Sequence, residues 1–151
     1  MLRDITKVDS QVQEIRARGI VIDRLLSCGF EVAVPVRDKG VDFLIYRENE
    51  NNSYRKIQLK SSIGETFSFS RKYLSTEDLV CIYVMNLSMT DTTGYRLFVM
   101  RISDVLDFMR EENINYNRKG WAFKKCIKQS TLNRLERYEI ESDYQLIKAL
   151  C

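Results

Sequence analysis

Residues 79–87, Leu-Val-Cys-Ile-Tyr-Val-Met-Asn-Leu, are apolar but for one asparagine. A run this short, rich in β-branched and aromatic residues, reads as a strand buried on both faces. Such a strand needs neighbours on its edges and packed layers above and below it. This single segment therefore predicts an α/β (α+β) architecture, a mixed sheet flanked by helices. The flanking sequence supplies the parts. Residues 95–101 pair back after a loop at 88–94. Residues 30–36 form a strand with an edge character given by Pro35, the chain's one proline. Residues 41–46 and 54–61 flank the polar, turn-prone stretch 47–53 and predict a hairpin. A short strand at 66–70 and one helical turn within 71–78 precede the central run.

Helices are expected at both ends. The first spans 10–28, with Ser10 as its cap and Gly29 as its stop. Val12, Ile15, Gly19, Ile22 and Leu26 are spaced as its buried stripe. A second starts from a Ser103 cap and runs to 112, and two more occupy 131–138 and 142–150. The expected order is α-β-β-β-(β)-β-β-α-α. At 151 residues the chain has the length of one domain, 1–151, with a basic helical C-terminal region at 117–151.

Composition narrows the chemistry. The chain contains no histidine, which removes Ser-His and Cys-His nucleophile pairs and histidine-rich metal sites. Its four cysteines (Cys28, Cys81, Cys126, Cys151) form no CxxC pair and are read mainly as reduced core residues. Catalysis is left to carboxylates, lysines, hydroxyls, or a cation held by oxygen ligands, for which Mg2+ leads and Mn2+ is a substitute. No apolar run reaches the roughly 20 residues of a membrane span, and the N-terminus lacks a signal peptide's apolar centre; a cytoplasmic protein is expected. The net charge of +3 is small. Between 117 and 138, however, lie Arg118, Lys119, Lys124, Lys125, Lys128, Arg134 and Arg137 with one acid, Glu136, and with Trp121, Phe123 and Tyr138 interleaved. Such a segment can neutralise phosphates, or it can be a solvated face.

The hairpin carries the chemistry. With its turn centred near Glu50 and Asn51, Asp42 lies opposite Leu59 and within a residue of Gln58 and Lys60. Gln58 and Lys60, two apart, share a face. Asp42, the Gln58 side-chain oxygen and the Leu59 carbonyl then form an oxygen ligand set suited to magnesium. Lys60 can support an attacking water or charge developing on phosphate. Ser61 and Ser62 can bond a phosphate, and Arg71 and Lys72 can face a nucleic-acid backbone. Tyr73, Tyr83 and Tyr95 read as packing.

Gly40-Val41-Asp42-Phe43-Leu44-Ile45, a polar loop, and Ile57-Gln58-Leu59-Lys60-Ser61-Ser62 resemble the PD-(D/E)XK nuclease superfamily, whose fold is restriction-endonuclease-like. Gln58 stands where the motif usually has Glu, as in some homing-type endonucleases, and Val41 stands where it usually has Pro. The resemblance implies a metal-dependent DNA endonuclease that hydrolyses phosphodiester bonds, with Asp42, Gln58 and Lys60 at its site. It also implies an acid from the first helix, and Glu14 is in the matching place. The expected partner is double-stranded DNA, and cleavage of both strands would need two sites, hence a homodimer or higher symmetric oligomer. The C-terminal helix, with Tyr144, Leu146, Ile147 and Leu150, is the candidate interface, or else core. Two other readings fit the same residues. One is a catalytically inactive DNA-binding module, for which Gln58 is the argument. The other is an inhibitor- or immunity-type protein-interaction domain.

Overall fold

A computed structural model describes residues 9–37, 39–48, 53–64, 67–87, 93–112, 120–123 and 128–151. Helix α1 (Ser10–Ser27) is followed by strands β1 (Glu31–Ala33), β2 (Phe43–Tyr46) and β3 (Tyr54–Ser61). Then come β4 (Phe67–Ser70), a 3-10 turn (Arg71–Ser75), β5 (Leu79–Met85) and β6 (Arg96–Arg101). Helix α2 (Ile102–Glu111), strand β7 (Gly120–Phe123), helix α3 (Gln129–Leu135), a 3-10 turn (Glu136–Tyr138) and helix α4 (Asp143–Leu150) complete the order.

Five strands form a mixed sheet in the order β1-β2-β3-β5-β6. Only β3 and β5 run parallel, Gln58 beside Cys81 and Lys60 beside Tyr83; the remaining pairs are antiparallel. The apolar run behaves as its sequence predicts: every residue of β5 is buried. Pro35 lies just past β1, which is the sheet's edge. The expectation of one sheet is corrected. β4 pairs with β7 in a separate two-stranded sheet, because the parallel β3–β5 pairing requires a crossover and β4 belongs to that crossover.

Side chains alternate between two cores. On one face Phe43, Ile45, Ile57, Leu59 and Ile82 pack against Ala17, Val21 and Leu25 of α1 and Leu146 and Leu150 of α4. On the other, Cys81, Tyr83 and Met85 meet Phe67, Tyr73, Phe108, Leu132 and Leu135. Phe67 stacks on Tyr83 at 4.4 Å between ring centroids. Tyr83 Oη donates to the Ser68 carbonyl at 3.1 Å, so this buried phenol is satisfied.

Several local expectations fail for physical reasons. Asp9, not Ser10, caps α1, accepting from Gln11 N–H at 2.9 Å. Ser103 lies inside α2, whose start is instead closed by Asp104 accepting from Arg101 N–H at 2.8 Å. Most of the stripe predicted to be buried on α1 faces outward: Val12 is 45% exposed, Ile15 69% and Leu26 51%, while Ile22 is half-buried against the core. Ala17, Val21, Leu25 and Cys28 take the inner side. Both stripes have helical spacing, and periodicity alone cannot rank them. Leu146 and Leu150 are core, which removes most of α4's apolar face from any interface. Ser142 caps α4 by accepting from Gln145 N–H at 3.3 Å. Cys28 and Cys81 are buried free thiols and Cys151 is exposed; Cys126 lies outside the described residues. No helix among the described residues is long and apolar enough to cross a membrane.

Candidate metal centre

The site forms where β2 begins. Asp42 N–H donates to Ile57 O at 2.8 Å, the last rung of the β2–β3 ladder. The next outward group on β3 is the Leu59 N–H, which has no strand opposite it. The Asp42 carboxylate takes that place: Oδ2 accepts from Leu59 N–H at 2.7 Å. An aspartate at this position therefore closes the ladder as well as supplying charge. The register pairs Phe43 with Ile57, so Asp42 stands opposite Gln58, one residue from the expected partner Leu59. The error is harmless because Gln58 was already on the shared face.

Gln58, only 6% exposed, turns its amide into this corner. Its Nε2 donates to Asp42 Oδ2 at 2.6 Å and to the Leu59 carbonyl at 3.2 Å. Its Oε1 is buried with no hydrogen-bond partner among the described residues. An amide nitrogen thus sits between two oxygens while the amide oxygen is left unsatisfied, a state that costs free energy in an interior. Rotating the amide by half a turn would bring three oxygens together: carboxylate, amide and backbone carbonyl. A cation would balance such a cluster of oxygens. This donor set, with one carboxylate, fits magnesium or manganese with water and phosphate completing the shell. Among the described residues no three His, Cys, Asp or Glu side chains converge, so any cation here depends on these mixed oxygen donors.

A pocket of about 360 Å³ opens over the corner. It is lined by Ser10, Gln13, Glu14, Asp42, Gln58, Leu59, Lys60, Ser61, Lys72 and Tyr73. The α1 start is fixed to the end of β3 by Gln13; with its amide oxygen inward it accepts from Ser62 N–H at 3.0 Å and Ile63 N–H at 3.1 Å. Lys60 reaches the pocket with Nζ 5.2 Å from the centre of the Tyr73 ring, and Lys72 Nζ lies 5.1 Å from it. The buried Tyr73 is thus packing, as expected, and also a seat for two ammonium groups. Gly40, at φ +84°, passes so close that a Cβ there would meet the ring at 3.1 Å.

Other candidates divide. Glu14 lines the pocket but touches Asp42 only through Arg18, whose guanidinium lies 3.5 Å from Glu14 Oε1 and 3.8 Å from Asp42 Oδ1. Sequence reasoning missed Arg18; its position four residues after Glu14 on the helix was the available signal. Ser61 lines the pocket, whereas the Ser62 hydroxyl is used locally on Gly64 O at 2.5 Å. Arg71 is exposed but outside the lining. Lys128 is exposed just before α3; Arg118, Lys119, Lys124 and Lys125 lie outside the described residues. The apparent excess of base in this region shrinks, since Arg134 pairs with Glu112 and Arg137 with Glu111 of α2.

No protein-family model matches the chain, and no curated protein matches it. Among solved structures it is similar to Hjc, a Holliday junction resolvase of the archaeal hyperthermophile Archaeoglobus fulgidus. The two are 12% identical, with a TM-score of 0.45 over 78% of this chain and 89% of that one. A likeness of that size decides nothing about function, which has to be argued from the site itself.

Proposed function

We propose that this chain is a divalent-metal-dependent DNA endonuclease. The observation that supports it is the convergence of Asp42, the Leu59 carbonyl and the side-chain amide of Gln58, whose buried Oε1 has no partner among the described residues, in one corner of a pocket that Lys60 shares. Asp42 Oδ1, Gln58 Oε1 and Leu59 O would hold the cation, Mg2+ or Mn2+, with Glu14 joining them once it leaves Arg18. When bound, the ion supplies Lewis-acid polarisation of a phosphate oxygen and a lowered water pKa. Lys60 then supports the attacking water or the negative charge that grows on the phosphate. Lys72 and Ser61, at the pocket wall, hold neighbouring phosphates. Arg71, Arg118, Lys119, Lys124, Lys125 and Lys128, with Ser62, are assigned to the wider DNA contact.

Supercoiled plasmid incubated with Mg2+ or Mn2+ tests this reading. Wild type should nick or linearise it, and Lys60→Ala and Asp42→Asn should lose at least about 100-fold in rate. A Lys60→Ala protein that cuts as fast as wild type with magnesium would end the assignment. One observation favours a second reading, a DNA-binding module without chemistry: Arg18 and the Gln58 amide already satisfy the Asp42 carboxylate internally. Calorimetry separates the two, because that reading predicts no Mn2+ binding that depends on Asp42.

A further inference from the structure

The outward stripe of α1 has a self-complementary pattern. At about 100° per residue, Val12, Ile15, Ile22 and Leu26 all fall within about 60° of Gly19 around the helix. Val12, Ile15 and Leu26 are exposed and Ile22 is half-buried at the band's edge, so an apolar band runs along an 18-residue element. At its centre, a Cβ added to Gly19 would meet nothing within 4 Å. Glycine costs a helix stability relative to alanine, and nothing among the described residues uses the space it leaves. Arg16 and Asp23 border the band on one and the same side, three residues before Gly19 and four after it.

We infer that α1 is the contact between two copies of this chain, packed antiparallel across a two-fold axis at Gly19. Under that symmetry, positions equally far before and after Gly19 come to the same height, and positions whose distances differ by one residue lie about 1.5 Å apart in height. Val12 of one copy then meets Leu26 of the other, both seven residues from the axis. Ile15 meets Ile22 on one flank. On the other flank Arg16 meets Asp23, and the symmetry makes each contact twice. Gly19 against Gly19 lets the two helices approach closely. A wrong register would place Arg16 or Asp23 against isoleucine, so the charges select the alignment that the apolar residues fill. The site pocket lies on the opposite, sheet-facing side of α1, which leaves both pockets open in the pair.

A contact centred on one helix is small for a lasting dimer, so the pair should dissociate in the micromolar range. Sedimentation velocity of the full chain, in EDTA and without DNA, tests the contact independently of any cleavage. The wild type should pass from monomer to dimer between about 1 and 100 μM. Ile15→Glu should weaken association at least about tenfold, with an unchanged circular dichroism spectrum because Ile15 is exposed. Arg16→Glu alone should weaken it, and Arg16→Glu with Asp23→Arg should restore it. A wild type that stays monomeric throughout overturns the proposal and leaves the band for some other partner. A dimer indifferent to Ile15→Glu, or a double charge reversal that fails to recover association, overturns it equally.

Discussion

Replacing Gln58 by Glu is the most informative change available, because it gives opposite outcomes with and without metal. Without metal, the new carboxylate faces Asp42 Oδ2 where an amide N–H now donates at 2.6 Å. Two buried carboxylates at that separation do not both stay ionised. The least costly state protonates one of them, and a neutral carboxylic acid can donate to Asp42 much as the amide does. Keeping a glutamic acid of ordinary pKa about 4.3 protonated at pH 7 costs about 1.4 kcal/mol per pH unit, so roughly 4 kcal/mol at most. The sign follows from a folded-state pKa raised above the unfolded value. The variant should match wild type below about pH 4.3 and lose stability as pH rises toward the raised pKa. With metal the order reverses. A further unit charge about 4 Å from a dication is worth several kcal/mol at an effective dielectric of 20, before desolvation. Keeping even a third of that tightens binding more than tenfold. Urea melts across pH in EDTA, and calorimetric titration with Mn2+, measure the two halves. If the variant binds Mn2+ no more tightly than wild type, and metal does not recover its lost stability, position 58 does not face a cation.

Three further outcomes are expected. Arg18→Gln removes a guanidinium 3.8 Å from Asp42 that competes with any cation; Arg18 is partly exposed, so solvent limits the gain to roughly three- to tenfold in Mn2+ affinity, read by calorimetry. Gly40→Ala puts a methyl against the Tyr73 ring at a positive φ, and should cost about 1–3 kcal/mol in urea unfolding while disturbing the seat of Lys60. Burial pushes the Cys81 thiol up to about 12; peptide mapping after brief alkylation at pH 8 should find Cys81 unlabelled in the folded chain and labelled in urea, while exposed Cys151 reacts in both.

What the sequence revealed followed from signals that work at short range. The limits of β3 and the burial of β5 follow from alternation and a long apolar run, and the hairpin placed Asp42 beside Gln58 despite a register error of one residue. Long-range choices were not legible. Nothing local says that Phe67–Ser70 leaves the main sheet to pair with Gly120–Phe123. Nothing local says which of two helical stripes on α1 the sheet will cover. Counting bases from 117 to 138 missed Glu111 and Glu112, which reach Arg137 and Arg134 from another helix. The site was half legible for the same reason. Its strand residues are fixed by the hairpin, whereas Arg18 and Tyr73 arrive from elements whose docking only the folded core determines.

The two oxygens of Asp42 are not equivalent. Oδ2 is bound to the backbone of residue 59 and to the Gln58 amide, and Oδ1 looks outward to Arg18. A descendant that gave up catalysis would still need an acceptor there, or leave a strand-end amide stranded. Asparagine could serve as that acceptor and alanine could not. Drift at this position should therefore be narrow even where no reaction remains, and a conserved polar residue at 42 would by itself be poor proof of an enzyme.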